Sequence, residues 1–146
     1  MKNKSYLTAI TRKKPSLPME TINDRCGLDR YELRSLDYGC GKGFDADYYG
    51  MEKYDPFYFP KKPIGRFDII TCNYVLNVVT EREGKKILKT IKSLLNGDGV
   101  AFISVRRDMF MEGFTSRGTY QRYVELELPV FHLKRGAFII YKMEGV

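Results

Sequence analysis

The sequence predicts an α/β fold built on an open, mostly parallel β-sheet. Segments rich in β-formers alternate with helical segments between Tyr31 and Val105, an order typical of strands joined by crossover helices. The run from Val100 to Val105 is almost entirely apolar, as in a parallel strand covered on both faces. Two further strand-like segments follow near the end of the chain. They predict a terminal antiparallel hairpin.

Local patterns place the individual elements. Thr80 and Glu83 form a capping-box pattern, and apolar residues at helical spacing follow between Ile87 and Leu95. Gly27 and Gly97 occupy positions where glycines commonly end helices. The predicted order is a helix over Met19 to Cys26, a strand over Tyr31 to Tyr38, a helix over Phe44 to Tyr49, a brief strand ending at Asp55, a strand over Phe67 to Cys72, the capped helix, and strands over Val100 to Val105, Val124 to Leu128 and Ala137 to Tyr141.

Composition excludes several classes of protein. The chain has 146 residues, of which 43% are hydrophobic and 29% charged, as expected for one globular domain over residues 1–146. The apolar runs are too short for a bilayer span or a secretory signal, so we expect a cytoplasmic protein without membrane contact. Three cysteines without a CxxC pair, and the single His132, argue against disulfides and a metal site.

The positive charge is concentrated in an N-terminal arm. Residues 1–19 hold five basic residues and no acid, out of a net charge of +7 for the chain. Arg12 and Lys13 in this arm are candidates for phosphate contacts, because basic side chains that neutralise phosphates release counterions. A solvated terminus is the alternative interpretation.

A glycine-rich loop with two flanking acids is the clearest functional pattern. Gly39 and Gly41 follow the first predicted strand, where missing side chains let a ligand approach the backbone. Asp55, after the second strand, suits a ribose diol. Asp37 would be repelled by a pyrophosphate, but it suits an ammonium group. The two acids therefore favour S-adenosylmethionine over a dinucleotide as the cofactor.

The segments Leu36 to Gly43 and Phe67 to Val78, with Asp55 between them, resemble the class I S-adenosylmethionine-dependent methyltransferases. The resemblance implies a Rossmann-like sheet and a set of cofactor contacts. The sequence departs from the family pattern at the 11 residues between Asp55 and Phe67. The strand and helix that the family has at this place, its third strand and the helix that accompanies it, are expected to be reduced or absent. Phe57, Tyr58 or Phe59 would then stack on the adenine, or these residues would form a hydrophobic plug over the shortened sheet edge. The implied cofactor-binding residues are Asp37, Gly39, Cys40, Gly41, Asp55 and Cys72.

The acceptor side of the site is expected after the strands Phe67 to Cys72 and Val100 to Val105. Asn73 and Tyr74 are the candidate catalytic residues, Asn73 by accepting a hydrogen bond from an amine or amide and Tyr74 by packing on a flat substrate. Alternatively, Asn73 caps the following turn. A polar connector after Val105 is expected to overhang the site and to hold a phosphate or a base edge. The candidate substrate-binding residues are Arg12, Lys13, Arg106, Arg117, Thr119 and Gln121.

These observations predict a methyltransferase that acts on nucleic acid or a nucleotide. The segments Thr8 to Ser16 and Ser116 to Gln121 also resemble small methyltransferase-like proteins found in phages and near DNA phosphorothioation systems. The alternative is a non-catalytic S-adenosylmethionine-binding module that assists a partner. The short chain is compatible with a homodimer or a protein partner that completes the substrate wall.

Overall fold

Six strands form the central sheet of the computed structural model, which describes residues 3–109 and 112–146. The bounds of the helices and strands are α1 (Leu17–Cys26), β1 (Ser35–Tyr38), α2 (Phe44–Tyr49), β2 (Glu52–Tyr54), β3 (Phe67–Asn73), α3 (Glu81–Leu94), β4 (Leu95–Arg106), β5 (Gly113–Phe114), β6 (Tyr120–Gln121), β7 (Val130–Lys134) and β8 (Phe138–Glu144), with short 3-10 helices at Ser5–Thr8 and Leu76–Val78.

The sheet has the predicted mixed topology. Its strand order is β2-β1-β3-β4-β8-β7, and β1 to β4 pair in parallel. Strand β8 pairs antiparallel with both β4 and β7, so the terminal hairpin is confirmed. The small strands β5 and β6 form a separate antiparallel pair. Residues 55–66 contain no helix or strand, apart from an isolated bridge between Asp55 and Phe59, and β2 is therefore an edge strand.

Three predicted boundaries are wrong for tertiary reasons. The strand predicted over Val124 to Leu128 does not form. Its alternating apolar side chains pack on the core, while the hairpin strand lies at Val130–Lys134. Helix α3 ends at Leu94 rather than at Gly97, because Leu95 already pairs with Phe67 in the sheet. Strand β1 begins at Ser35 and not at Tyr31.

Helices cover both faces of the sheet. Helix α3 packs Ile91 and its apolar neighbours on one face, together with Cys72 and Ile103 of the sheet. Its N-terminus carries the predicted capping box, since the Glu83 amide donates to the Thr80 hydroxyl at 3.2 Å. Helices α1 and α2 cover the other face, where Met19, Ile22, Ala46 and Tyr49 lie against Ile69 and Phe102. None of the helices formed by residues 3–109 and 112–146 has the length and apolar character needed to cross a bilayer.

Gly39, at the end of β1, is required by packing. Its φ angle is +80°, and a Cβ atom added there would lie 2.3 Å from Cγ2 of Val75. The segment after β3 therefore packs directly on the glycine loop. The space that the missing side chain leaves is filled by Val75 rather than by a ligand, in contrast to the role expected from the sequence.

Replacing Gly39 by alanine is expected to destabilise the fold. The left-handed backbone costs an L-residue about 1–2 kcal/mol, and displacing Val75 adds about 1–3 kcal/mol. Gly50→Ala is the matched control, because Gly50 has φ +68° with open space around its Cβ position. Urea unfolding measures both variants. Equal losses of the free energy of unfolding would contradict the packing role of Val75.

Candidate active site

A cavity of about 1260 Å³ lies at the carboxyl ends of β1 to β4. Ligands bind at this edge of open α/β sheets because the strand ends and their connecting loops converge there. Twelve of the fourteen residues predicted to form the site line the cavity. They are Arg12, Asp37, Gly39, Cys40, Gly41, Asp55, Asn73, Tyr74, Arg106, Arg117, Thr119 and Gln121.

Asp37 is a buried carboxyl group on the cavity wall, with 3% of its surface exposed. It lies opposite Thr71 in the β1–β3 register, and the Thr71 hydroxyl donates to its Oδ1 at 2.9 Å. Burial and the neighbouring charge of Asp45 raise the pKa of Asp37 to about 7. Asp45 itself is held by the amide and hydroxyl of Ser16 at 2.9 and 2.8 Å. This end of the cavity is therefore suited to a cation.

Asp55 shapes the loop that it faces. One carboxylate oxygen accepts from the Gly41 amide at 2.9 Å, and the other accepts from the amides of Phe57 and Tyr58 at 2.9 and 3.0 Å. The Gly39 amide donates to the Tyr54 carbonyl at 2.7 Å. The end of β2 thus fixes the glycine loop through hydrogen bonds that the sequence did not reveal. The predicted contact of Asp55 with a ribose remains a prediction.

Ser104 of β4 anchors both candidate catalytic residues. Its hydroxyl donates to Oδ1 of Asn73 at 2.8 Å, and its carbonyl accepts from the Tyr74 amide at 3.0 Å. Tyr74 has φ +61°, a left-handed conformation that is unusual outside glycine and often found at functional sites. Burial raises the pKa of its phenol to about 12. The Asn73 side chain does not cap the following 3-10 helix.

The two predicted cysteine contacts have different outcomes. Cys40 lines the cavity, and burial together with the nearby Asp37 raises the pKa of its thiol to about 12, so the thiol is neutral. Cys72 is fully buried on the α3 side of the sheet and does not line the cavity. The strand alternation explains this result, because Thr71 and Asn73 take the opposite face. The predicted cofactor contact of Cys72 is therefore wrong.

The N-terminal arm, which the structure describes from residue 3 onward, runs along the cavity rather than extending into solvent. Tyr6 stacks on Phe57 with ring centroids 4.1 Å apart, and its carbonyl accepts from the Tyr58 hydroxyl at 3.2 Å. Arg12 lines the cavity, and its charge lowers the pKa of both Asp37 and Tyr74 against the larger effect of burial. Lys13 is exposed and does not line the cavity, so the structure does not bring it together with the other predicted substrate-binding residues.

The connector between β4 and β7 forms the remaining wall. Arg117 and Gln121 of the β5–β6 hairpin line the cavity, as predicted for this segment. The Thr119 hydroxyl is hydrogen-bonded to the Thr115 hydroxyl, with 2.6 Å between the two oxygens. The Thr119 side chain is therefore already paired within the hairpin. Arg106 donates to both oxygens of Asp108 at 2.8 and 3.0 Å, and this ion pair partly neutralises its charge.

Four residues of the site were missed by sequence reasoning. Ser16, Thr71 and Ser104 donate hydrogen bonds to the side chains of Asp45, Asp37 and Asn73, respectively. Tyr6 connects the arm to the 56–58 loop. Strand alternation from Asp37 and Asn73 is the signal that points to Thr71, because cross-strand neighbours share a face. Ser16, Ser104 and Tyr6 depend on contacts between distant segments.

Comparison with known proteins assigns the family. Residues 10–132 match the family model described as a methyltransferase domain. None of the curated proteins compared with this chain matches it. The fold is similar to the DhpI complex with SAH, with a TM-score of 0.57, 13% identity and coverage of 88% of this chain and 83% of that chain.

Two other solved structures share the fold. The glycopeptide N-methyltransferase MtfA, complexed with (S)-adenosyl-L-homocysteine, has a TM-score of 0.54, 10% identity and coverage of 91% of this chain and 92% of that chain. An S-adenosylmethionine-dependent methyltransferase from Mesorhizobium loti has a TM-score of 0.50, 12% identity and coverage of 75% and 90%, respectively. With the family model matching most of the sequence, this chain belongs to the methyltransferase domain family and is an S-adenosylmethionine-dependent methyltransferase.

Proposed function

We propose that this chain transfers a methyl group from S-adenosylmethionine to a nucleotide or to a base in nucleic acid. One observation carries the proposal: a single cavity joins a buried carboxyl group, Asp37, to a wall that holds Arg12 and Arg117. Its volume of about 1260 Å³ exceeds the roughly 300–1000 Å³ of pockets for one small molecule. The cavity therefore has room for a cationic cofactor and an anionic acceptor.

The acidic end of the cavity fits the cofactor. Asp37 accepts one hydrogen bond, from Thr71, and a second donor such as an ammonium group would satisfy the other carboxylate oxygen. The loop amides of Gly39 and Gly41 are already held by β2 and Asp55, so the loop is rigid before any ligand enters. S-adenosylmethionine supplies an electrophilic methyl group, and the chain's contribution is to position the acceptor in line with it.

Other residues that line the cavity fit a phosphate and a flat ring. The charges of Arg12 and Arg117 favour an anionic group, and arginine binds phosphate through paired N–H donors. Tyr74 offers an aromatic surface for stacking on a base, and Gln121 offers both a donor and an acceptor for its edge. The resemblance of the flanking segments to phage and phosphorothioation-associated proteins implies a link to nucleic acid through gene neighbourhood.

The proposal is tested by incubating the protein with labelled S-adenosylmethionine and separate pools of nucleotides, DNA, RNA, protein and metabolites. The measurement is the label transferred to each pool. We expect labelled product in the nucleotide or nucleic-acid pools. Transfer only to protein or metabolites would overturn the choice of acceptor. Tight cofactor binding without transfer to any pool, together with a stable complex with another protein, would favour the non-catalytic module.

Cofactor affinity is expected to increase with pH up to about 7. Asp37 has its pKa raised to about 7, so below that pH an ammonium ligand must displace its proton, which costs at most about tenfold in affinity per pH unit. Calorimetry with S-adenosylhomocysteine between pH 5.5 and 8 measures this dependence. Asp37→Asn should bind more weakly and remove the slope. A slope that persists in this variant would contradict the assignment.

The same group makes folding pH-dependent in the absence of ligand. The native state holds the Asp37 proton up to about pH 7, whereas the unfolded state releases it near the ordinary pKa of 3.8. The free energy of unfolding attributable to this group therefore falls as pH rises between these values. Urea unfolding of the wild type and of Asp37→Asn at pH 5 and 7.5 measures the difference. A contribution that increases with pH would contradict a raised pKa.

Neutralising Arg117 is expected to weaken acceptor binding. Arg117→Gln should raise the KM for a nucleotide by about three- to tenfold at low salt, in line with about 1 kcal/mol for a partly exposed phosphate contact. The affinity for S-adenosylhomocysteine should stay unchanged. Lys13→Gln is the matched control, because it removes the same charge outside the cavity. If the two variants raised the KM equally, Arg117 would act only through the net charge of the protein and not through a contact with the acceptor.

A further inference from the structure

We infer that Asn73 acts as a hydrogen-bond donor that selects substrates with an acceptor atom beside the site of methylation. The recognised group is a carbonyl oxygen, as on the lactam edge of a uracil-type or hypoxanthine-type base. An exocyclic amine at that position is disfavoured. This inference rests on the proposed function and specifies the substrate of the same site.

The orientation of the Asn73 amide is fixed by Ser104. Ser104 is fully buried, and its hydroxyl donates to Oδ1 of Asn73 at 2.8 Å. In the described part of the chain, this is the hydrogen bond that satisfies the hydroxyl hydrogen. After half a turn of the amide, Nδ2 would donate to the Ser104 hydroxyl oxygen, and the buried hydroxyl hydrogen would lose the acceptor that it has among the described residues, which is costly in a protein interior. The carbonyl of Asn73 therefore faces Ser104.

The amide nitrogen is consequently the group available to a ligand. Nδ2 of Asn73 is buried and has no hydrogen-bond partner among the described residues, while Asn73 lines the cavity. A buried donor without a partner is uncommon in native structures and is satisfied when a ligand or a water supplies an acceptor. The sequence alone favoured the opposite polarity, with the side-chain carbonyl accepting from an amine.

The backbone holds this side chain in place. Asn73 and Ser104 are opposite each other in the β3–β4 register, and the next amide, that of Tyr74, donates to the Ser104 carbonyl at 3.0 Å. One residue of β4 thus fixes both the side chain of Asn73 and the backbone that follows it. Asn73 is a specificity-determining residue in this arrangement, and Ser104 is a positioning residue.

The chemistry of the bases gives a direct comparison. UMP carries a carbonyl oxygen where CMP carries an exocyclic amine, and IMP differs from AMP in the same way. A carbonyl accepts from Nδ2, whereas an amine presents a second donor to it and leaves both groups unsatisfied. We expect the wild type to prefer UMP over CMP, or IMP over AMP, by about tenfold or more in kcat/KM.

Three variants test the mechanism. Asn73→Asp replaces the donor by an acceptor of nearly the same shape and should reverse the preference within each nucleotide pair. Ser104→Ala removes the group that orients the amide and should reduce the preference to about threefold or less. Ser104→Thr keeps the hydroxyl and should retain it. Because the readout is a ratio between two substrates, a general loss of stability does not imitate the expected result.

A measurement on the wild type covers the case in which variants fail to fold. The side-chain amide resonance of Asn73 should shift when UMP or IMP is added with S-adenosylhomocysteine. This resonance is identified by its absence in a variant at this position, or by selective ¹⁵N-asparagine labelling with backbone assignment. It should respond little to CMP or AMP. An unmoved resonance at saturating UMP and IMP would overturn the inference.

The outcomes separate this inference from the proposed function. A wild-type preference for CMP and AMP, or ratios unchanged in both Asn73→Asp and Ser104→Ala, would overturn the role of Asn73 and leave the nucleotide acceptor standing. Failure of all four nucleotides to bind or to be methylated, despite binding of S-adenosylhomocysteine, would overturn the nucleotide acceptor and this inference together.

Discussion

The parallel register of β1, β3 and β4 is the constraint on which the site depends. It sets Asp37 opposite Thr71 and Asn73 opposite Ser104, on the face of the sheet that α1 and α2 cover. Each functional polar group thereby gains one buried hydroxyl partner from the next strand. Because side chains alternate along a strand, a register shift of one residue would send these groups into the apolar face under α3.

The shortened edge of the sheet changes what supports the cofactor side. Because residues 55–66 form an irregular loop, β2 is the edge of the sheet. Asp55, directly after β2, accepts hydrogen bonds from three backbone amides of the glycine loop and the 56–58 segment. The N-terminal arm then packs on this loop through Tyr6 and Phe57. The 56–58 segment therefore supports the arm, while Phe57 itself stays 57% exposed at the cavity.

The site has opposite electrostatic character at its two ends. Asp37 and Asp45 lie where the glycine loop begins, and burial keeps the pKa of Asp37 close to neutrality. Arg12 lies near enough to lower the pKa of both Asp37 and Tyr74, so the arm brings positive charge to the boundary between the two ends. The cavity therefore offers groups that match both a cationic donor and an anionic acceptor, and the neutral Asn73 lines the same cavity.

The sequence by itself determined the order of strands and helices from α1 to β4, the terminal hairpin, the lack of a helix and a full strand between Asp55 and Phe67, and the position of the glycine loop with Asp37. Each of these depends on local periodicity, on glycines at strand ends or on the number of residues between two motifs. The tertiary structure alone decided that Cys72 faces the core, that Lys13 lies outside the cavity while Arg12 lines it, and that Val124 packs without joining the sheet. It also decided that Ser104 orients the Asn73 amide. The physical reason is that side-chain direction and hydrogen-bond polarity depend on partners distant in the sequence, whose identity a local pattern does not contain.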